Sequence, residues 1–312
     1  MEGQKTAGRY AYLGPEGTFT EAALAAFDPA ALAGALPCAT IQVTLDAVRS
    51  GEADRAIVPI ENSVEGAVNA TLDELATGSD IVICAELLLP VTFALLVRPG
   101  TAVGGVKTVG GHPQAQAQCR RWLAENVPGA EWMPASSNAE AARQAAEGMI
   151  DAALAGVFAA DRYGLAVLAS EVSDVADAVT RFVVAGRPGP VPAATGADRT
   201  SLVAFLREDH PGALMELLTE FAVRGINLTR IESRPTGDGL GKYCFSIDCE
   251  GHLDDARVGE ALMGLRRVCA DVRFLGSYPR HDGGRAQVRP GTSDAEFAQA
   301  AAWLGRLRYG RV

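Results

Sequence analysis

Short apolar runs alternate with polar or glycine-rich segments that open helices over roughly the first 185 residues. The runs are residues 11–13, 56–60, 106–109 and 151–154. This alternation predicts an α/β domain with largely parallel strands, in which ligands bind beyond the carboxyl ends of the strands. Two further apolar strands, at residues 89–97 and 182–185, predict a chain that crosses twice between two lobes, with a cleft between them.

A second pattern follows residues 186–198, which contain three prolines and three glycines and predict a stiff, extended linker. Beyond it we expect a strand at 201–206, a helix at 211–224, strands at 227–232 and 243–249, a helix at 254–268 and a strand at 272–275. The first helix has apolar residues at helical spacing and ends at Gly225. The order βαββαβ predicts a ferredoxin-like unit. A polar tail from residue 281 ends in a helical stretch at 293–308.

Composition narrows the possible functions. The chain has 312 residues and a formal net charge of −10, so an extended basic surface for nucleic acid or anionic membrane is not expected. No apolar run is long enough to span a bilayer, and the N-terminus lacks an apolar signal core, which predicts a cytoplasmic protein. Six cysteines without a CxxC pair predict buried, reduced thiols, and four scattered histidines predict no zinc site.

Three predicted helix N-termini carry candidate anion-binding groups. Thr18 with Glu21, and Ser137 with Glu140, have capping-box spacing, and the polar residues 61–63 directly follow a buried strand. Free amides and the helix dipole attract carboxylates or phosphates at such ends, so several of them around one cleft would suit a small dianion. Plain helix capping is the alternative interpretation of each end taken alone.

Two other junctions carry polar side chains. His112 either titrates as an acid or base or caps the helix that starts at Pro113, and Gln114 and Gln118 share a face of that helix. Thr180 and Arg181 precede a strand, a position typical of a solvated polar edge. The sequence contains no Ser-His-Asp order, P-loop or dinucleotide fingerprint.

Taken together and in order, several motifs resemble a known family. Residues 12–19, 59–66, 112–119, 163–165 and 180–182 resemble the catalytic domain of prephenate dehydratases. Residues 212–218 and 232–235 resemble the GALxxxL and ESRP stretches of ACT regulatory domains. The resemblance implies a two-lobed, periplasmic-binding-protein-like catalytic domain at 9–187, a linker at 188–199, a ferredoxin-like ACT domain at 200–280 and a tail at 281–312.

The family resemblance also implies a function. It implies a lyase that converts prephenate to phenylpyruvate by decarboxylating dehydration in L-phenylalanine biosynthesis, without a metal or organic cofactor. It further implies a homodimer or tetramer under allosteric regulation by L-phenylalanine. An arogenate dehydratase and a non-catalytic amino-acid-sensing binding protein are the alternatives.

The same resemblance assigns the site residues. The catalytic residues are Thr180, Asn62 and Gln118. Substrate binding is assigned to Thr18, Ser63, Glu61, His112, Gln114, Ser137, Asn138, Arg181 and Phe182. Glu61 and His112 are candidate sources of the proton that the leaving hydroxyl takes up. Phenylalanine is expected where the helix at 211–224 of one subunit meets residues 227–235 of its partner, at Gly212, Ala213, Leu214, Asn227, Leu228, Glu232, Ser233, Arg234 and Pro235.

Overall fold

The computed structural model describes residues 8–78, 80–237, 239 and 242–310. These residues form two compact units. The first contains the described part of Met1–Thr71 together with Leu87–Val184, and the second contains the described residues of Leu72–Glu86 and Ala185–Val312.

A parallel β/α lobe opens the first unit. Its elements are β1 (Tyr10–Leu13), α1 (Phe19–Phe27), β2 (Leu36–Cys38), α2 (Ile41–Arg49), β3 (Arg55–Asn62) and the short β4 (Gly66–Ala67). Strand β1 pairs in parallel with both β2 and β3, whereas β4 turns back antiparallel on β3. Helix α3 (Asn69–Thr77) and strand β5 (Val82–Pro90) then carry the chain into the second unit and back.

The second lobe of the first unit has its own five-stranded sheet. Its elements are β6 (Ala94–Val97), β7 (Thr108–Gly111), α4 (Pro113–Gln118), α5 (Arg120–Asn126), β8 (Glu131–Pro134), α6 (Asn138–Ala146), β9 (Ala152–Ala155), α7 (Phe158–Tyr163) and β10 (Ala166–Ala169). The strands lie in the order β10-β6-β9-β7-β8, with β7, β8 and β9 parallel and β6 and β10 antiparallel. Alanine side chains fill much of the core beneath α6, which allows close packing of this helix on the sheet.

Strand β11 (Val179–Gly186) returns to the first sheet, whose order is β2-β1-β3-β11-β5. The prediction of two lobes crossed twice is therefore confirmed. The amide of Val91 donates to the Ala178 carbonyl at 2.7 Å, which ties the two crossing segments together. The prediction of one strand at 89–97 was wrong: the run is split between β5 and β6, because Pro90 has no N–H with which to continue a ladder.

The second unit contains the predicted βαββαβ order. Its elements are β12 (Asp198–Phe205), α8 (Ala213–Ala222), β13 (Leu228–Pro235), β14 (Tyr243–Glu250), α9 (Ala256–Val268) and β15 (Asp271–Pro279). They form an antiparallel sheet in the order β13-β14-β12-β15, with an apolar core that includes Leu202, Phe221 and Ile247. Strands β13 and β15 extend beyond their predicted ends because backbone pairing continues through polar residues such as Ser233 and Ser277.

The tail contains a helix, as predicted. Helix α10 (Asp294–Arg308) starts with a reciprocal capping box between Ser293 and Glu296. Within the described ranges, no helix combines the length and the apolar character needed to cross a bilayer.

Candidate active site

A cavity of about 650 Å³ lies in the first unit, a size typical of small-molecule sites. Its wall includes Leu13 and Asn62, which end β1 and β3, and His112 and Gly156, which directly follow β7 and β9. The cavity is therefore at the carboxyl ends of parallel strands, where the α/β pattern predicts a ligand site. The predicted site residues that line the cavity are Thr18, Asn62, His112, Gln114, Gln118, Ser137, Asn138, Thr180 and Phe182.

The cavity wall is almost free of formal charge. Among the described residues that line it, none is a lysine or arginine, and Glu65 is the one with a carboxylate. An anionic ligand in this cavity must therefore be held by backbone amides, helix dipoles and neutral hydrogen-bonding side chains.

Two helices begin at this cavity with the caps that the sequence spacing predicts. The Thr18 hydroxyl accepts from the amide of Glu21 at 3.3 Å, and the Ser137 hydroxyl accepts from the amide of Glu140 at 3.0 Å. The first amides of α1 and α6 have no partner within the helix, because those bonds start one turn further on. The residues that carry them, such as Phe19 and Asn138, line the cavity. Capping and anion binding are thus compatible at the same helix end.

The loop before α1 is held rigidly. Gly17 has a φ of +83°, a backbone conformation that would be strained in a residue with a side chain. Its amide donates to Glu21 Oε2 at 2.5 Å. The Tyr163 hydroxyl donates to the Glu16 carbonyl at 2.6 Å, and the Tyr12 hydroxyl donates to Glu21 Oε1 at 3.3 Å. Burial raises the pKa of Tyr12, so this phenol remains a donor. The loop amides are therefore preorganised.

Residues 61–63 do not begin a helix, so that prediction was wrong. Strand β3 continues through Asn62, and the chain returns as β4 after a tight turn. The side-chain oxygen of Asn62 accepts from the amides of Val64 at 2.8 Å and Glu65 at 3.0 Å. This local bonding stabilises a turn in place of a helix start, a competition typical of asparagine.

The same two bonds orient the Asn62 carboxamide. Because its oxygen faces the turn, its nitrogen points away and donates to the Thr180 hydroxyl oxygen at 2.8 Å. Thr180 therefore accepts from Asn62, and the structure records no acceptor for its own hydroxyl proton among the described residues. A hydroxyl held in this way presents its proton to the cavity.

Three predicted site residues are absent from the cavity wall. Ser63 exchanges two hydrogen bonds of 2.9 Å with the backbone of Val179, and so fastens the turn to β11. Arg181 is buried and lies 3.4 Å from the carboxylate of Glu61. The prediction that Thr180 and Arg181 form a solvated strand edge was wrong: both lie inside β11 and are 7% and 5% exposed. The neighbouring strands bury them, which a one-dimensional pattern does not record.

Helix α4 supplies the other polar groups of the wall. His112 Nδ1 accepts from the amide of Gln114 at 3.3 Å, so this imidazole caps the helix, as the capping interpretation predicts. The His112 amide donates to the Asn138 side-chain oxygen at 2.8 Å. Gln118 is buried, and its Nε2 donates to Glu65 Oε1 at 3.2 Å.

Some wall residues were missed by the sequence interpretation. Phe19 and Phe93 form an aromatic wall, with ring centroids 5.6 Å apart in an edge-to-face arrangement. Glu65 was also missed. Both Phe19 and Glu65 lie inside the motifs that carry the family resemblance, so the signal was their position next to Thr18 and Asn62.

The second unit has a smaller cavity of about 430 Å³. Of the predicted phenylalanine-binding residues, Gly212, Ala213, Leu214 and Ser233 line it. The predicted residues that are not part of its wall are Asn227, Leu228, Glu232, Arg234 and Pro235. Arg234 makes a bidentate ion pair with Asp73: its Nε donates to Oδ1 at 2.9 Å and its Nη2 donates to Oδ2 at 2.7 Å.

The thiols and the potential metal ligands among the described residues are scattered. Five of the six cysteines are buried, as predicted, and Cys84 is half-buried. Burial raises the pKa of Cys119 to about 12. Within the described part of the chain, no three His, Cys, Asp or Glu side chains come together in a way that would hold a metal ion.

The fold and the cavity define a class: a two-lobed α/β protein with a small-molecule cavity, joined to a βαββαβ unit. The family model for prephenate dehydratase matches residues 10–190, and the ACT domain model matches residues 200–267. The chain belongs to the prephenate dehydratase family. Its predicted fold class, a periplasmic-binding-protein-like catalytic domain followed by an ACT domain, is confirmed.

Individual relatives are similar over nearly the whole chain. The prephenate dehydratase of Mycobacterium tuberculosis is 51% identical over 97% of this chain and 95% of its own length. The solved prephenate dehydratase of Arthrobacter aurescens, in complex with L-Phe, is 51% identical with a TM-score of 0.92, covering 96% of this chain and 99% of that one. A solved protein described as a quorum-quenching acylase, GqqA, is 30% identical with a TM-score of 0.78, covering 87% and 97%.

Proposed function

We propose that this protein catalyses the decarboxylating dehydration of prephenate to phenylpyruvate, and that L-phenylalanine regulates it. The observation that carries the proposal is the Asn62–Thr180 pair, which offers a hydroxyl proton to a cavity whose wall is otherwise almost uncharged. The relatives of 51% identity over nearly full length support the same reaction.

The reaction needs little covalent help from the protein. The bond between the ring and its carboxylate breaks and releases carbon dioxide, and its electron pair completes the aromatic ring as the C–O bond to the hydroxyl breaks. The hydroxyl takes up one proton and leaves as water, so a dianion plus one proton gives a monoanion, carbon dioxide and water. The enzyme must hold two carboxylates and assist the departing hydroxyl.

Thr180 is placed to assist the hydroxyl. Its oxygen accepts from Asn62, which strengthens the hydroxyl as a donor toward a leaving oxygen. Threonine is too weak an acid to give up its proton outright, so its hydrogen bond stabilises charge that develops on the leaving oxygen. We assign catalytic roles to Thr180, Asn62 and Gln118 on this basis.

The carboxylates are held by the helix ends. The amides that start α1 and α6, capped by Thr18 and Ser137, offer donors without introducing a counter-charge. His112, Gln114 and Asn138 add hydrogen-bonding capacity, and Phe182 contributes to the apolar wall. Glu61, Ser63 and Arg181 then act indirectly, by supporting β3 and β11.

Regulation is assigned to the second unit. Its cavity at Gly212, Ala213, Leu214 and Ser233 is our proposed site for the amino acid effector, and the Arthrobacter relative was solved with L-Phe. In a homodimer or tetramer, residues 227–235 of a partner subunit would complete this site. Free, buried thiols are consistent with a cytoplasmic enzyme.

One assay tests the function. Purified chain is mixed with prephenate or with arogenate, with and without L-phenylalanine, and the aromatic product is followed by absorbance. We expect phenylpyruvate from prephenate and a rate that changes with L-phenylalanine. Preference for arogenate would make the chain an arogenate dehydratase, and tight prephenate binding without turnover would make it a sensing protein.

A further inference from the structure

Glu65 contacts the catalytic site through Gln118. Glu65 lies in the exposed turn between β3 and β4 of the first lobe, and Gln118 is the last residue of α4 in the second lobe. Gln118 Nε2 donates to Glu65 Oε1 at 3.2 Å, and both residues line the cavity. The Glu65 amide also donates to Asn62, at 3.0 Å, so the turn links the two carboxamides of the site.

This contact sets the orientation of the Gln118 carboxamide. A carboxylate oxygen accepts and an amide nitrogen donates, so a flipped Gln118 would bring two oxygens together. In the observed orientation the amide oxygen of Gln118 is buried and has no hydrogen-bond partner among the described residues. A buried acceptor without a partner is rare in folded proteins and calls for a donor from elsewhere.

The substrate of the proposed function has one such donor. Both carboxylates of prephenate only accept hydrogen bonds, whereas the ring hydroxyl carries a hydrogen. We propose that Glu65 is a positioning residue, which holds Gln118 so that its amide oxygen accepts from the substrate hydroxyl. This inference rests on the proposed function. With its hydrogen held by Gln118, the hydroxyl turns a lone pair toward the proton of Thr180.

The charge of Glu65 supports this role. A carboxylate in the wall repels a dianion, so the charge of Glu65 weakens substrate binding. A positioning role for Glu65 would offset this cost. Among the described residues of the wall, the other polar side chains offer hydrogen-bonding groups other than a carboxylate. At this position a carboxylate has an advantage, because it is purely an acceptor and admits one orientation of Gln118, whereas an amide would admit both.

A double-mutant cycle tests the proposal. Glu65→Ala should lower kcat on prephenate by about tenfold, the effect of one lost charge-assisted hydrogen bond. In a Gln118→Leu background the same change should have no further effect, because Glu65 acts through Gln118. Inhibition by phenylpyruvate, which lacks the hydroxyl, should not weaken with Glu65→Ala, and loss of the carboxylate's repulsion should strengthen it. Where turnover is too slow, the cycle is measured by calorimetric titration with prephenate.

Controls separate positioning from structure and from the function itself. Val64→Ala trims a neighbouring exposed side chain of the same turn and should retain native kcat. Equal losses from Glu65→Ala in both backgrounds, or no loss in the native background, would overturn the positioning role. Weaker phenylpyruvate inhibition in Glu65→Ala would also count against it. A native chain that forms no phenylpyruvate contradicts the proposed function instead, so the two failures are distinct.

Discussion

The cavity of the first unit and the buried sheet face of the second unit that lies opposite its helices use charge in opposite ways. The cavity wall contains a single carboxylate and no lysine or arginine among its described residues. On the sheet face opposite the helices, Arg230 pairs with Asp248, and Arg199 pairs with Glu86 at 2.5 Å. Each of these guanidinium charges is already neutralised by a carboxylate, whereas the cavity offers neutral groups that have no internal counter-charge.

The difference follows from solvation. A buried charge must be paired, and a pair holds two chain segments in one arrangement. Arg230 donates to Asp248 at 2.9 and 3.1 Å, and Ser201 also donates to Asp248, at 2.7 Å. Free arginines would bind the carboxylates of the substrate and of the transition state alike, whereas aimed hydroxyls and amides can favour the transition state. The first unit is therefore arranged for turnover, and this face of the second unit for rigidity.

The largest expected effect is on catalysis in the neutral cavity. Thr180→Ala removes the hydroxyl that we propose assists the leaving group and should lower kcat by about a hundredfold to a thousandfold with little change in KM. Thr180→Ser retains the hydroxyl and should keep most of the activity. Steady-state kinetics on prephenate measure both. An unchanged kcat in Thr180→Ala would remove this residue from the mechanism.

The next effect is on stability in the charged face. Asp248→Ala leaves Arg230 buried without its partner and should lower the free energy of unfolding by about 3–5 kcal/mol. Arg230→Met combined with Asp248→Ala removes both charges and should recover much of the loss. Urea unfolding followed by circular dichroism measures this. A double variant as unstable as Asp248→Ala would show that the loss of stability comes from losing the ion pair itself and not from leaving Arg230 unpaired.

The Arg234–Asp73 pair sharpens the comparison, because it is similar in geometry but more exposed. Its side chains are 23% and 48% exposed, so solvent screens the attraction. Asp73→Asn should therefore lower the free energy of unfolding by no more than about 1 kcal/mol, and high salt should reduce the difference further. Urea unfolding of the native protein and of Asp73→Asn, at low and at high salt, measures this difference in the free energy of unfolding. A loss as large as that of Asp248→Ala would contradict the role given to burial.

Local pattern predicted much of this fold and part of the site. The caps at Thr18 and Ser137, and the helix built around Leu217 and Phe221, follow from spacing over a few residues. The turn at Asn62 does not, because a polar trio after a strand fits a helix cap and a hairpin equally well. The bonds from the amides of Val64 and Glu65 to Asn62, together with the pairing of β4 with β3, decide the case in favour of the hairpin.

The central contact could be inferred only by resemblance. Asn62 and Thr180 are 118 positions apart, and no periodicity joins them. The same holds for Glu65 and Gln118, which are 53 positions apart and lie in different lobes. The family motifs supplied Asn62, Thr180 and Gln118 because they record the site as a set. Glu65 was passed over within its motif, since an exposed turn glutamate is usually only solvated.

The smallest expected effect lies at the edge of the charged region. The hydrogen bond from Arg280 lowers the pKa of Asp282 to about 2, below its ordinary value of 3.8. A lowered pKa stabilises the fold above the ordinary value, and this contribution is lost as the pH falls toward about 2. Because the Asp282 side chain is 46% exposed, screening limits the contribution to below about 1 kcal/mol. Unfolding of native protein and Asp282→Asn, measured between about pH 5 and 2, should show a small difference that vanishes with acidification. A difference that grows as the pH falls would mean that Arg280 does not hold this carboxylate in its charged form.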